Sequence, residues 1–454
     1  MIGFNRATAT LAYLVAVLLL GGASAAGFGG NLALQLGGAG LIVWTLWGTA
    51  PGSAMRTDLK PFGIALAVLA VIQFLPLPPA LWQMLPGREA VARGYDLIGA
   101  DLPWLTLSLA PWKSLASLAW WIPALALFIA MRAEGAPTAR QAILAVAAVA
   151  VFSAVLGMLQ RGTGTGYLYL ITNYGEGPGF FANSNHQGSF LLVALSLWGG
   201  YLAMDLAAAR GLRRSRLSAI GWQLAVTTLL AFSVIVSGSL ACVALLLPVG
   251  LLTFLNVRAD LRLPVGWIVV GTILLVAGFA AFLLFGPVAN DLTAKGTVEG
   301  ISRQDFLLTG LKPLADFAPL GTGLGTFQDI YRWYEDPARI GTTFVNHAHN
   351  DLLELLIETG LFGLVALALF LRWFVPRAID LWRAERGHGV ALGASIAIGA
   401  VLVHSLVDYP LRTAAMSALI GLCCVLMVRP AETPRSRRQH READATTARE
   451  MIRI

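Results

Sequence analysis

Two clusters of ionisable residues in the second half of the chain have the types and spacing needed for group-transfer chemistry. The first is Ser302-Arg303-Gln304-Asp305, in which Ser302 and Asp305 have the spacing of an N-cap pair that opens a helix. On that helix Arg303 lies within the apolar stripe, and a planar guanidinium in a partly buried site suits a phosphate or diphosphate. The alternative interpretation is an interfacial helix whose arginine extends to lipid headgroups.

The second cluster, residues 346–350, contains His347 and His349 and stands just before a helix that carries Glu354 and Glu358. A neutral imidazole in this place can take a proton from a hydroxyl, and we expect His349 to do so. The two glutamates are four residues apart and share one helix face. An acid that far along an apolar helix should face protein or water rather than lipid.

Weaker signals surround these clusters. Pro319-Leu320-Gly321-Thr322-Gly323-Leu324-Gly325 can cradle an anion with backbone N–H groups, but no strand and helix frame it as a nucleotide motif, and a tight turn is favoured. Asn183-Ser184-Asn185-His186 opens an earlier apolar segment, and His404 and Asp408 are four residues apart in a later one. Arg412 follows at the expected outer surface.

The composition sets the class of protein that must position these residues. Of the 454 residues, 57% are hydrophobic and 13% are charged, whereas soluble domains carry about 25% charged residues. This balance excludes a soluble globular enzyme and a disordered chain. The three cysteines lie in apolar runs without a CxxC pair, and the histidines of the second cluster are too close together for the usual zinc spacing, so no metal site is expected.

Long apolar runs make the chain an integral membrane protein in this interpretation. A spanning helix needs about 20 mostly apolar residues. We expect an all-α polytopic protein with about twelve such helices, placed at 7–26, 30–50, 61–79, 113–131, 141–160, 186–204, 217–236, 240–257, 264–286, 352–375, 390–409 and 411–428.

The charges in the loops predict the orientation of these spans. With both termini in the cytoplasm, 22 of the 32 basic residues fall on the inner side, as the positive-inside rule requires. The net charge of +7 is then a consequence of topology and attracts anionic lipid, and no nucleic-acid partner is needed to explain it. The long outer segments are 80–112, 161–185 and 287–351, and we expect the last to be a large periplasmic loop with short helices.

The two ends of the chain carry separate signals. Residues 1–26 have the charge, apolar stretch and Ala23-Ser24-Ala25 pattern of a signal peptide, whose cleavage would leave the other spans oriented as before. Residues 1–428 are expected to form one transmembrane body. Residues 429–454 are expected to form a basic, weakly ordered cytoplasmic tail.

The motifs between about 180 and 412 resemble those of the O-antigen ligase and polymerase superfamily of bacterial inner-membrane enzymes. The first 160 residues match it only in architecture. The resemblance rests on the segments Phe181–His186, Ser302-Arg303, Pro319–Phe327, His349–Glu354, Glu358-Thr359-Gly360-Leu361 and His404 to Asp408.

The resemblance implies a helical glycosyltransferase of the integral-membrane, class C-like type that works without metal or other cofactor. Such enzymes transfer a glycan from undecaprenyl diphosphate on the periplasmic side, to the lipid A core or to a growing glycan. By position, Arg303 would hold the diphosphate and His349 would activate the acceptor hydroxyl. The residues expected to bind substrate are Lys312, Asn350, Glu354, Glu358, Arg412, Asn185, His186 and His347.

One departure from the family concerns a Ser-Arg-Gly-like turn at the end of the paired spans. Here the turn reads Ser237-Gly238-Ser239, with glycine where the family arginine would stand. Either another cation completes the anion site (Lys312, Arg412 or Arg161), or this chain handles its donor differently.

Several functions remain open on the sequence alone. A ligase of lipopolysaccharide assembly is favoured by the order of the motifs, and a polymerase of O-antigen, capsule or exopolysaccharide repeat units is the alternative. A protein O-oligosaccharyltransferase would differ only in its acceptor. A twelve-helix transporter predicts similar halves and polar groups near the bilayer midplane, and a non-catalytic scaffold would tolerate the loss of both Arg303 and His349.

Overall fold

The computed structural model describes residues 5–24, 29–47, 58–208, 216–261, 303–337, 345–384 and 388–428. The side chains of 216–220, 259–261 and 303–305 lie outside the described part. The predicted span 264–286, residues 287–302 and 338–344 of the predicted loop at 287–351, and the tail 429–454 also fall outside it.

Helices make up most of the described structure. They are α1 Arg6–Leu20, α2 Gly29–Trp47, α3 Lys60–Ile72, α4 Pro79–Trp82, α5 Glu89–Leu97, α6 Pro111–Ala119, α7 Ile122–Ala130, α8 Ala139–Thr163, α9 Ser184–Ala208, α10 Arg216–Val236, α11 Leu240–Leu261, α12 Arg303–Phe317, α13 Phe327–Tyr334, α14 Asp351–Arg383, α15 Gly389–His404 and α16 Ala414–Val428. A 3-10 turn, Pro410–Arg412, precedes α16.

Polar residues at their first turns explain where several of these helices begin. Asn5 caps α1 with its side chain, and Thr138 forms a reciprocal capping box with Gln141 at the start of α8. Asn350 caps α14 by accepting a hydrogen bond from the backbone of Leu353. Each cap satisfies N–H groups that have no partner within the helix.

Within the described residues, five helical segments are long and apolar enough to cross a membrane, and five shorter apolar helices accompany them. The protein is therefore a polytopic membrane protein, but the expectation of twelve spans is supported only in part. The long segments are Pro111–Ala130, Ala139–Thr163, Ser184–Ala208, Leu240–Arg258 and Asp351–Arg383. The shorter ones are Arg6–Leu20, Lys60–Ile72, Gly221–Val236, Gly389–His404 and Ala414–Val428.

The predicted span 61–79 is the clearest boundary error. Its helix ends at Ile72, and the chain continues through a two-residue strand, β1 Pro76–Leu77, that pairs antiparallel with β2 Leu105–Thr106. Prolines at 76, 78 and 79 explain the early end, because proline lacks the N–H that a helix interior requires. The expectation of an all-α protein holds for the described residues apart from this small ladder.

Helix α9 lies at the centre of the main core, packed against α8, α10, α11 and α15. A second, smaller core docks α12 and α13 onto the first turns of α14. Its buried members are Phe327, Tyr331, Ala348, Leu353 and Ile357, with Phe306, Leu314 and Val345 packed against them. Ala348, between His347 and His349, is one of its buried members, so the histidine cluster lies beside this core.

Candidate active site

His349 lies in the loop directly before α14, with φ at 49°, a left-handed value that residues with a Cβ seldom adopt. Its imidazole stacks on the ring of Phe306, with centroids 5.0 Å apart and planes at 11°. It also meets the Tyr409 ring at 4.9 Å in an edge contact of 77°. The side chain is 24% exposed, so two aromatic residues hold a ring that stays partly accessible.

A buried carboxylate, Asp408, faces two of the imidazoles. Its Oδ1 lies 3.8 Å from Nδ1 of His349 and 3.9 Å from Nε2 of His186, and it accepts a 2.8 Å hydrogen bond from the N–H of Tyr409. Both imidazole distances are too long for a direct hydrogen bond, but the carboxylate of Asp408 places a negative charge close to both rings. Asp408 can therefore stabilise the charge that His349 gains when it accepts a proton.

His347 has a different carboxylate partner. Its Nδ1 lies 2.8 Å from Oε1 of Glu354, whose Oε2 accepts a 2.8 Å hydrogen bond from the N–H of Ala348. Because an ionised carboxylate only accepts hydrogen bonds, Nδ1 carries the hydrogen when the carboxylate is ionised, and Nε2 of a neutral ring is then an acceptor. The structure thus orients a second imidazole beside that of His349.

Arg412 lies among three carboxylates of the first two turns of α14. Its side-chain nitrogens are 3.5 Å from Asp351, 3.4 Å from Glu354 and 3.1 Å from Glu358. Burial lowers the pKa of Arg412, but the three carboxylates raise it more strongly, so that it lies above its ordinary value. The guanidinium stays charged, and the neighbouring acids already compensate that charge.

Tyr409 joins the three histidines of the site, and the sequence analysis did not single it out. Ring-centroid distances from Tyr409 are 4.9 Å to His186, 4.4 Å to His347 and 4.9 Å to His349. Burial and the neighbouring carboxylate of Asp408 raise the pKa of the Tyr409 phenol, which keeps it neutral. The available signal was its place between Asp408 and Pro410, directly after the paired His404 and Asp408.

The start of α9 brings its predicted residues to the same cluster. Nδ2 of Asn183 lies 3.5 Å from the hydroxyl of Tyr409, and His186 is fully buried beneath that ring. Asn185 is half-buried, and its carbonyl accepts a hydrogen bond of 3.4 Å from Sγ of Cys242. Two segments more than 200 residues apart in sequence therefore form one side of the site.

The glycine-rich segment is a docking turn. The N–H groups of Thr322 and Gly323 donate to the carbonyls of Ile357 and Glu358, at 3.0 and 2.8 Å. The N–H groups of Gly321 and Leu324 also donate to protein acceptors. The tight-turn interpretation therefore fits the structure, and these N–H groups are not available to cradle an anion.

Other predicted residues are placed differently. Lys312 is exposed on α12 and makes no ion pair within the described part of the chain. The amide of Asn350 is used in structure, because its oxygen caps α14 and its nitrogen donates to the carbonyl of Leu406 at 2.8 Å. Arg303 begins α12, one turn before Phe306, but its side chain lies outside the described residues.

Glu176 occupies the space beside Gly238, where the family arginine was expected. Gly238 has φ at 96°, and a Cβ there would lie 2.8 Å from Cδ of Glu176. The same carboxylate accepts a short hydrogen bond from the hydroxyl of Ser184. An acid, rather than a base, therefore reaches this turn.

Phe306 is a second residue whose place in the site the sequence analysis missed. An apolar ring on an apolar helical stripe is typical of packing, so its type and position gave no signal of a role in the site. Within the described residues, no group of three or more His, Cys, Asp or Glu side chains is arranged to hold a metal ion.

Residues 225–368 match the family model described as O-antigen ligase. The match covers about a third of the chain, includes α12 and the start of α14, and confirms the resemblance drawn from the motifs. No curated protein gives a significant match.

Proposed function

We propose that this chain, which belongs to the O-antigen ligase and polymerase superfamily through residues 225–368, transfers a glycan from an undecaprenyl-diphosphate-linked donor to a hydroxyl acceptor. The reaction takes place on the periplasmic face of the bacterial inner membrane and needs no metal. The observation that carries the proposal is the imidazole of His349, clamped by Phe306 and Tyr409 beside the buried carboxylate of Asp408.

In the proposed reaction the acceptor oxygen attacks the anomeric carbon of the donor sugar. The new glycosidic bond forms as the bond from that carbon to the diphosphate oxygen breaks. The acceptor proton passes to His349, and Asp408 stabilises the imidazolium. The electron pair leaves with undecaprenyl diphosphate, whose negative charge Arg303 stabilises by bidentate hydrogen bonds.

An apolar groove supports the approach of a lipid-linked donor from the bilayer. It has a volume of about 530 Å³ and lies between α1 and α8, with Phe180 among its lining residues. Phe180 is three residues before Asn183, whose side chain reaches Tyr409 in the histidine cluster. At no more than about 3.6 Å per residue, the backbone of Phe180 lies within roughly 11 Å of the backbone of Asn183.

The proposal is tested by Arg303→Ala and His349→Ala in purified protein given a lipid-linked glycan and an acceptor. We expect Arg303→Ala to lower the transfer rate by about 10²- to 10³-fold, because a charge-stabilising donor is lost. We expect His349→Ala to lower it by about 10²- to 10⁴-fold, as for loss of a general base, while donor binding survives. Product formation and donor retention are measured separately.

Two matched variants control for the loss of an arginine or a histidine. Arg332 is exposed on α13, and His388 lies before α15, outside the histidine cluster. Arg332→Ala and His388→Ala should transfer glycan at the wild-type rate. Full transfer by either Arg303→Ala or His349→Ala would refute the assignment of that residue.

The acceptor is proposed to be the lipid A core, as for an O-antigen ligase, because the order of the motifs resembles that group. A polymerase of repeat units is the second candidate. Glycan profiles of a deletion strain separate the two. Long chains that remain on the lipid carrier indicate a ligase, and glycans of a single repeat unit indicate a polymerase.

A further inference from the structure

The ring of Phe306 connects two parts of the proposed site. Phe306 belongs to α12, which begins at Arg303, and lies three residues and about 4.5 Å along the axis from it. Its ring is nearly parallel to the imidazole of His349, at a centroid distance of 5.0 Å and an interplanar angle of 11°. The helix that begins with the proposed diphosphate ligand therefore touches the proposed proton acceptor through one side chain.

The packing of α12 leaves little freedom in this contact. A Cβ on Gly310 would lie 3.0 Å from Cδ2 of Leu353, so α12 and the first turns of α14 are closely packed at that point. Tyr409 makes a second contact with the imidazole, with the two ring planes at 77° and the centroids 4.9 Å apart. A ring held between a stacked and an edge-on neighbour has a defined orientation.

We propose that Phe306 is a positioning residue, which fixes the orientation of the His349 imidazole relative to the donor-binding end of α12. This inference rests on the proposed function. When the diphosphate binds at the first turn of α12, that turn and the ring of Phe306 are fixed together. The imidazole then faces the acceptor oxygen with Asp408 behind it, 3.8 Å from Nδ1. Without the ring of Phe306, the imidazole of His349 is still present, but its orientation toward the acceptor oxygen is no longer fixed.

The alternative is that Phe306 only fills the small core shared with Tyr331, whose ring centroid is 6.4 Å away. Leu314 supplies the matched control, because it packs against the same core from the same helix. If Phe306 were only core filling, Phe306→Leu and Leu314→Ala would have similar consequences for activity. A positioning role predicts that they differ.

The test compares wild type, Phe306→Leu, Phe306→Tyr and Leu314→Ala in lipid nanodiscs. We expect Phe306→Leu to lower kcat by about 10- to 100-fold, because a misplacement of about 1 Å at a reacting group costs up to about 100-fold. The KM for the donor should stay within about 2-fold, and the pH profile of kcat should shift. Phe306→Tyr keeps the stacked ring and should therefore keep the kcat of wild type. Leu314→Ala should also have the kcat and the pH profile of wild type.

A second measurement does not need turnover. The rate at which diethyl pyrocarbonate acylates His349 is followed by mass spectrometry over a range of pH. The rate and its pH dependence should change in Phe306→Leu but not in Leu314→Ala or Phe306→Tyr.

The outcomes separate the two proposals. Equal effects of Phe306→Leu and Leu314→Ala on kcat, or a change in donor KM alone, would overturn the positioning role of Phe306. The proposed glycan transfer would not be affected by that result. If wild type transfers no glycan, the proposed function fails. The acylation rates then decide by themselves whether Phe306 positions the imidazole, and unchanged rates in Phe306→Leu reject it.

Discussion

The backbone of His349 has a φ of 49°. A left-handed backbone conformation costs about 1–2 kcal/mol of conformational energy for a residue with a Cβ. Such a conformation persists only where the surroundings determine it, and residues of this kind concentrate at active sites. Here the surroundings are the rings of Phe306 and Tyr409. The strained backbone and the clamped ring are two independent observations that point to the same residue.

The carboxylate cluster around Arg412 gives a prediction at the same scale. Arg412→Met leaves three buried acids without their cation, and breaking a buried ion pair in this way costs about 3–5 kcal/mol. We expect a large fall in the midpoint of thermal unfolding in detergent. Transfer should also fall, because Glu354 orients His347 and contacts Arg412 at 3.4 Å.

Arg377→Met is the matched control for Arg412→Met. Arg377 pairs at 3.4 Å with Asp58, whose side chain is 74% exposed, and exposed pairs contribute at most about 1 kcal/mol. The midpoint should therefore change little. Equal destabilisation by the two substitutions would contradict the importance assigned to the cluster.

At the scale of elements, the turn at Gly321 and the kink in α14 fix the site. Gly360 interrupts the helix with φ 51° and ψ −133°, and the N–H of Leu361 donates to the carbonyl of Pro319 at 2.8 Å. The turn before α13 thus joins α14 at its kink. This joint holds the first turns of α14, with Glu354 and Glu358, against α12.

Gly321→Ala tests this joint. A Cβ at Gly321 would lie 2.7 Å from both the carbonyl carbon and oxygen of Glu358, and φ there is 79°. Because backbone atoms cannot move aside cheaply, we expect about 1–3 kcal/mol of destabilisation from overpacking, and slower transfer. Thermal unfolding and transfer rate are measured on the same preparation.

Gly99→Ala controls for the backbone conformation alone. Gly99 has φ at 65°, but nothing lies within 4 Å of a Cβ built there. It should show only the cost of the left-handed backbone and normal transfer. If Gly99→Ala and Gly321→Ala lose the same activity, close packing at the joint is not what matters.

At the scale of the whole molecule, contacts between distant segments join residues that the sequence analysis placed on the same side of the membrane. Nη1 of Arg6 donates to the carbonyl of Glu134 at 3.1 Å, and Arg377 pairs with Asp58. All four residues fall on the predicted inner side. The histidine cluster gathers segments that were all predicted on the other side.

Cysteine labelling tests the orientation, and its background is low because the three native cysteines are buried. Asp101 and Glu134 are exposed and lie on opposite predicted sides. We expect Asp101→Cys to react with a membrane-impermeant maleimide added from the periplasm. Glu134→Cys should react only after the inner membrane is opened, and the reverse pattern would invert the proposed topology.

The sequence by itself determined the class of protein and supplied the candidate site residues. Composition and apolar runs suffice for the membrane class, because burying a helix in lipid demands apolar side chains along its length. Local spacing likewise singled out His349, Arg303 and the acids of α14 as candidates, since caps and helical faces are short-range features. The helix boundaries followed approximately, and prolines after Ile72 ended α3 earlier than its apolar run.

Only the tertiary structure decided which of these residues meet. Tyr409 contacts rings more than 50 and more than 200 residues away in sequence, and Arg412 pairs with acids on α14. Helical periodicity gives the face on which a residue lies, but not the neighbour that packs there or the depth of the contact. For that reason Phe306 looked like ordinary packing, and Lys312 looked like a site residue although its helix turns it to the surface.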